Sequence, residues 1–162
     1  MTPEQRLADP GARLQHALDL AYRYLGHRDR TVAEIRRHLE AKRVEPSTID
    51  EAVVELHEQG YLDDARFAQR FAEDRRALDA WGHERIERKL RDAGVPAEHI
   101  AAALSTQSPD EERDAAIELL RRRLGAPPQD DRGRERALGL LVRRGYDLDL
   151  AYDAVRSFER AA

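Results

Sequence analysis

Apolar side chains recur along this chain at the spacing of amphipathic helices, and the recurrence itself repeats. Three segments align without a gap, residues 35–39, 86–90 and 137–141, each 51 residues after the one before. In each segment two apolar residues stand four positions apart, which places them on one face of a helix. Self-similarity at a fixed period is typical of repeat proteins. The pattern therefore predicts three copies of one helical unit.

Residues around these segments keep the same register. Three further columns of the alignment are occupied by Val44, Val95 and Tyr146, by Ile49, Ile100 and Ala151, and by Val53, Leu104 and Val155. Gly94 and Gly145 stand where a helix ends through a left-handed residue, and Arg43 holds that place in the first copy. Thr31 and Glu34 form a capping box that begins the helix of residues 35–39, which is the middle helix of the first copy. In the next two copies, the position of Thr31 is taken by glycine, Gly82 and Gly133.

Each copy also begins with an amphipathic helix. Its apolar stripe contains Leu14, Leu18 and Leu25 in the first copy, Phe67, Phe71 and Leu78 in the second, and Ala116, Leu120 and Leu124 in the third. We predict an all-α protein of three tandem three-helix, helix-turn-helix-like repeats of about 51 residues, over residues 11–60, 61–107 and 108–160. The third helices should start near residues 47, 97 and 148. Units this small bury little alone, so we expect them to stack in an elongated, curved array.

Composition and charge narrow the classes of protein. Hydrophobic residues make up 41% of the chain and charged residues 37%, there is no cysteine, and no apolar run approaches a membrane span. Residues 1–4 have no signal-peptide features, so we expect a cytoplasmic protein. We also expect it to be a monomer and not to bind membranes. Residues 10–60, 61–109 and 110–162 each carry one more acidic than basic residue. A dedicated DNA-binding domain usually has a net basic footprint, which is missing here.

Catalytic and metal-binding patterns are also missing. The six histidines have no spacing typical of metal ligands, and Gly82 lies in no phosphate-binding loop. Asp63 and Asp64 could form a catalytic pair, but adjacent acids at a helix start are ordinarily N-cap residues. We therefore expect no enzyme activity, no catalytic or metal-binding residues and no cofactor.

Basic residues cluster locally in spite of the balanced charge. The clusters of interest are represented by Arg36, Arg37, Arg88, Lys89, Arg122 and Arg123. They are either solvated helix faces that pair with acids one turn away, or parts of a discontinuous basic stripe that binds a polyanion or an acidic protein surface. We consider both interpretations, and the second makes these six residues candidate partner contacts.

One stretch resembles a known family. Residues 56–68 read Leu-His-Glu-Gln-Gly-Tyr-Leu-Asp-Asp-Ala-Arg-Phe-Ala, followed by Trp81-Gly82 and by Ile86, Leu90 and Gly94-Val95. This resembles the RecX family, bacterial regulators of the recombinase RecA, over about residues 12–160. The resemblance implies tandem three-helix repeats, binding to the RecA–DNA filament, modulation (most often inhibition) of recombinase and SOS-linked coprotease activity, and no catalytic residues.

The residues that carry the resemblance are interpreted as mainly structural: Gly60, Tyr61, Leu62, Asp63, Asp64, Phe67, Trp81 and Gly82. Tyr61, Leu62 and Phe67 are expected to pack the first repeat against the second, and Asp63 and Asp64 to begin a helix. Two other functions stay open. The repeats could act as helix-turn-helix modules that bind single- or double-stranded DNA, or the chain could be a helical scaffold for another protein.

Overall fold

The computed structural model describes residues 9–161, which form nine α-helices and no β-strand. The helices are α1 Pro10–Leu25, α2 Val32–Ala41, α3 Pro46–Glu58, α4 Asp64–Asp79, α5 His83–Asp92, α6 Ala97–Leu104, α7 Pro109–Leu124, α8 Asp131–Arg143 and α9 Leu148–Arg160. The predicted all-α repeat is confirmed. The third helices begin at Pro46, Ala97 and Leu148, so the period of 51 residues holds between them.

The chain divides into two compact units. The first contains the described residues up to Phe67 together with Asp92–Pro96, and the second contains Ala68–Arg91 and the described residues from Ala97 onward. Boundaries of the three repeats at residues 60/61 and 107/108 remain a prediction.

In the first unit, α1, α2 and α3 pack against one another around one core. Ile35 and Leu39 of α2 are fully buried, as their spacing predicted, and Leu56 of α3 is buried with them. Ala17 and Ala21 keep α1 close to its neighbours because their side chains are small. Thr31 and Glu34 form the predicted capping box at the start of α2.

In the second unit, α9 packs against α7 and α8 around a core that includes Leu120, Leu141 and Phe158. Tyr146 is also buried there, and its hydroxyl donates a hydrogen bond to the carbonyl oxygen of Ala80 at 2.8 Å. Burial, followed by the negative charge of Glu112, raises the pKa of Tyr146 to about 12. The phenol is therefore neutral while the protein is folded at ordinary pH.

The turn that follows a middle helix lies against the start of the middle helix 51 residues earlier. In the first unit, the Thr31 hydroxyl donates to the carbonyl oxygen of Ala93 at 2.6 Å. Gly94, with a φ of 80°, lies so close to Ala33 that an added Cβ atom would fall less than 3.0 Å from the Ala33 Cβ atom. Glycine is required here twice over, for its left-handed backbone and for this contact.

The second unit repeats this arrangement. The Gly82 N–H donates to the carbonyl oxygen of Arg144 at 2.8 Å, and a Cβ atom on Gly145 would fall less than 3.0 Å from Arg85. Ala93 and Arg144 are equivalent in the 51-residue register, as are Gly94 and Gly145. One contact geometry therefore occurs in both units.

The start of α8, the third middle helix, is covered by a different part of the chain than the starts of α2 and α5. Asp130 caps this helix by accepting a hydrogen bond from the Gly133 N–H at 2.7 Å. A Cβ atom on Gly133 would lie 3.0 Å from the Cβ atom of Pro128. The loop that precedes α8 thus covers the place where, in α2 and α5, a later turn lies.

Two residues of the predicted apolar stripes lie outside the cores. Leu78 is 74% exposed near the end of α4, and Leu124 is 39% exposed at the end of α7. Each stands in the last turn of a 16-residue helix. The apolar spacing continues through these last turns although the side chains are left in solvent, so the stripe prediction is wrong at both positions.

Candidate partner-binding surface

The two predicted contacts of the first unit lie on α2 and differ in their surroundings. Nη1 of Arg36 donates to Asp50 on α3 at 2.8 Å, so the positive charge of Arg36 is compensated. Arg37 is exposed, and its Nε atom donates to the carbonyl oxygen of Ala33 one turn earlier at 3.4 Å. Within this pair, Arg37 is the better placed to meet a partner.

Arg88 and Lys89 are both exposed on α5, and neither forms an ion pair with another described residue. The other arginines of this helix that lie nearby already have contacts. Arg91 pairs with Glu87 at 2.5 Å, and the guanidinium of Arg85 lies 4.1 Å from the centre of the Trp81 ring. The free positive charge of this helix is therefore concentrated at residues 88 and 89.

The third candidate pair stands at the end of α7. Arg122 and Arg123 are exposed in the last turn, where cations also interact favourably with the helix dipole. Arg121, beside them, lies 3.4 Å from Glu118. Among the described residues, neither Arg122 nor Arg123 forms an ion pair, so both are available to an external anion.

The signature segment between α3 and α4 contributes a turn, a core residue and a cap. Gly60 ends α3 with a φ of 80°, and its carbonyl oxygen accepts a hydrogen bond from Arg66 at 2.7 Å. Leu62 is 2% exposed and belongs to the core of the first unit. Asp63 accepts a hydrogen bond from the Arg66 N–H at 2.9 Å, which is the geometry of an N-cap.

The expectation that Tyr61 packs as a buried wedge is wrong. Tyr61 is 55% exposed, and its ring meets the edge of Tyr22 with centroids 5.5 Å apart. The Tyr22 hydroxyl donates to Gln59 at 2.6 Å, so the two aromatic side chains form a surface patch with polar atoms around it. Phe67 is half-buried, and of the expected wedge only Leu62 is a fully buried core residue.

Sequence reasoning missed the part that two carboxylates play. Asp64 is 9% exposed and accepts a hydrogen bond from the Val32 N–H, the first of α2, at 3.0 Å. Glu112 accepts one from the His83 N–H, the first of α5, at 2.9 Å. Val32 and His83 are equivalent in the 51-residue register. Both N–H groups lack a partner within their own helix and so need an acceptor from elsewhere. This need was the feature of the sequence that could have pointed to the two carboxylates.

Trp81 forms a half-buried aromatic site in the second unit. Its ring stands edge-on to Phe71 with centroids 6.1 Å apart, and the guanidinium groups of Arg75 and Arg85 lie at 5.7 and 4.1 Å from its centre. Such contacts between cations and an aromatic ring hold long arginine side chains in place. Trp81 thereby fixes the part of α5 that precedes Arg88 and Lys89.

No group of three or more histidine, aspartate or glutamate side chains within residues 9–161 is arranged to hold a metal ion. In the same range, no helix combines the length and the apolar character that crossing a bilayer needs. What the described surface offers is charge, carried by exposed arginine and lysine side chains on separate helices.

Comparison with known proteins identifies the class of this helical repeat. Models of the RecX family match residues 17–56, as its first three-helix domain, and residues 63–104, as its second. The regulatory protein RecX of Mycolicibacterium smegmatis is 34% identical over 158 residues, which cover 93% of this chain and 84% of the relative. That of Trichlorobacter lovleyi is 39% identical over 134 residues, covering 80% and 87%. This chain belongs to the RecX family.

Solved structures agree on the fold. The crystal structure of RecX from Lactobacillus salivarius matches with a TM-score of 0.80 over 93% of this chain and 99% of that one, at 16% identity. A second crystal structure, of a regulatory protein RecX, matches with a TM-score of 0.75 over 97% of this chain and 79% of that one, at 20% identity. The tandem three-helix architecture is thus shared at low sequence identity.

Proposed function

We propose that this chain binds the filament that RecA forms on DNA and lowers its recombinase and coprotease activity. Family membership carries the proposal, because relatives that match most of the chain are named regulatory protein RecX. The resemblance of residues 56–68 to the RecX family implies that the regulated protein is RecA. The chain acts in this proposal by binding, without catalysing a reaction.

Exposed cations are the proposed contacts. Arg88 with Lys89, and Arg122 with Arg123, combine exposure with the absence of ion pairs to other described residues. Since the formal net charge of the chain is −4, attraction to an anionic partner has to come from such local clusters. The acidic surface of a protein filament or the phosphates of its DNA would complement them.

Several weak clusters on one chain act together. Once one cluster is bound, the others are held near the partner at a high effective concentration, so each adds to the overall affinity. Loss of one cluster should therefore weaken binding without abolishing it. Arg37 would contribute in the same way from the first unit, whereas Arg36 is already paired with Asp50.

The test compares wild type with Arg88→Glu/Lys89→Glu. We would measure co-sedimentation with RecA filaments on single-stranded DNA, and inhibition of RecA ATP turnover, across a salt series. We expect the variant to bind more weakly and to depend less on salt, because fewer charge contacts remain to be screened. Its melting temperature should stay close to that of wild type, since exposed charges contribute about 0–1 kcal/mol to stability.

A matched control changes the net charge by the same amount, but at arginines that already form ion pairs. Arg91→Glu/Arg156→Glu replaces arginines that pair with Glu87 and Asp153. Equal inhibition by all three proteins at every salt concentration would show that Arg88 and Lys89 are ordinary solvated residues. If wild type does not sediment with filaments but binds naked DNA tightly at about 150 mM salt, the helix-turn-helix alternative is correct instead.

A further inference from the structure

A cavity of about 380 Å³ opens in the first unit, beside α1 and the turn between α2 and α3. Four of its lining side chains can carry positive charge: Arg13, His16, Lys42 and Arg43. Val44, Glu45 and Thr48 complete the lining, and among these residues Glu45 alone has a carboxylate. The cavity is therefore predominantly cationic, unlike the chain as a whole.

Arg13, which lines the cavity, has a weakly held guanidinium. Its Nε atom is buried and has no hydrogen-bond partner among the described residues. Nη1 of the same side chain lies 3.9 Å from Glu45, which is too far for a hydrogen bond. Because Glu45 makes no hydrogen bond to it, the exposed part of the Arg13 guanidinium can donate to a bound anion.

The start of α3 adds backbone donors at the same cavity. Glu45 occupies the N-cap position but makes no side-chain capping bond, so the N–H groups of Ser47 and Thr48 gain no acceptor from it. In the equivalent place on α9, Asp147 does cap, accepting from the Leu150 N–H at 3.0 Å. An uncapped helix start presents N–H groups and a positive dipole end, which together favour anions.

Arg43, which lines the cavity, has a backbone conformation that is unfavourable for residues other than glycine. Its φ is 61°, in the left-handed region, and the equivalent residues of the other repeats are Gly94 and Gly145. A side chain in this conformation destabilises the folded state. Glycine at this position would relieve the strain, so the arginine side chain stands here at a cost to stability.

From these observations we propose that the cavity lined by Arg13, His16, Lys42 and Arg43 binds a phosphate group through the charges of Arg13, Lys42 and Arg43 and the N–H groups that begin α3. Phosphate suits a site that offers several cationic donors together with a helix start. The group could belong to a nucleic-acid backbone or be a free phosphate. The site uses none of the residues assigned above to filament binding, so the two proposals can be tested separately.

The experiment is a titration of the full chain followed by ¹H–¹⁵N NMR. The probes are inorganic phosphate and a short oligodeoxythymidylate without a terminal phosphate. Amide signals of Ser47 and Thr48 should shift with at least one probe, while the amide of the capped Leu150 stays fixed. Shifts with both probes identify a general phosphate site, and shifts with the oligonucleotide alone identify a backbone phosphate.

Variants complete the test. Arg43→Gly should weaken binding about tenfold, as expected for the loss of one charged hydrogen bond, while its melting temperature stays equal or rises. Arg13→Gln should weaken binding as well. Arg23→Gln, which neutralises an exposed arginine of α1 outside the cavity, should bind as wild type does. The proposal is overturned if neither probe shifts Ser47 and Thr48, or if Arg43→Gly and Arg13→Gln bind both probes like wild type.

Discussion

Replacing Gly94 with alanine tests the contact that recurs in both units. An alanine at this position would have to adopt a φ of 80° and would place its Cβ atom less than 3.0 Å from the Ala33 Cβ atom. The left-handed conformation costs about 1–2 kcal/mol for a residue with a Cβ atom. Relief of the overlap by shifts of α2 or the turn adds about 1–3 kcal/mol. We expect Gly94→Ala to destabilise by about 2–5 kcal/mol.

Gly60 provides a matched control, since its φ is also 80° but an added Cβ atom would have nothing within 4 Å. Gly60→Ala should show the conformational cost alone, about 1–2 kcal/mol. Free energies of unfolding from urea titrations followed by circular dichroism would give both values. Melting temperatures should fall by about 2–4 °C for each kcal/mol.

A second-site change isolates the overlap. With Ala33→Gly the nearest remaining atom is the residue 33 Cα atom at 3.9 Å, an ordinary contact distance. The double variant should therefore recover about 1–3 kcal/mol relative to the sum of the single changes. If Gly94→Ala costs no more than Gly60→Ala, or if Ala33→Gly gives no recovery, the turn does not lie against α2 in solution.

Two further predictions concern packing and pH. Leu62→Ala should destabilise by about 2–5 kcal/mol because Leu62 is 2% exposed, whereas Tyr61→Ala should cost much less because its ring is mostly in solvent; equal losses in urea titrations would refute this ranking. The pKa of Tyr146 lies above its unfolded value of about 10, so the unfolded chain loses this proton first as pH rises. The stabilisation that the neutral Tyr146 phenol provides should be fully present below pH 10. It should be lost as the pH rises toward about 12, the pKa of Tyr146 in the folded state. Tyr146→Phe should cost about 1 kcal/mol at neutral pH and flatten part of that alkaline decline; an unchanged decline, followed by melting temperature against pH, would contradict the assignment.

Periodicity predicted most of the fold because the repeat places equivalent demands on equivalent residues. Ile35 and Leu39, and likewise Ile86 and Leu90, are fully buried where the four-residue spacing placed them. Glycine or a capping residue at fixed offsets predicted where helices begin and end. Such signals are local, so they can be read from one sequence.

Contacts across long stretches of chain were not predictable in the same way. Asp64 accepts from Val32 and Glu112 from His83, but the two carboxylates are 48 residues apart and so fall outside the 51-residue register. The pairing of Arg36 with Asp50 joins two helices whose relative rotation no local pattern specifies. Exposure of Tyr61 depends equally on the turn geometry after Gly60. For this reason the composition of the candidate surface, more than the helices, required the structure.

The way α8 begins has a consequence for self-association. A turn that lies on the start of an earlier helix is a head-to-tail contact, and such a contact between molecules would propagate into an open fibre. Here the start of α8 is already covered by Pro128 and Asp130, and the turn of the first repeat carries Arg43 where the close approach requires glycine. Both surfaces that would join one molecule to the next are thus altered, which disfavours a fibre built through the repeat contact.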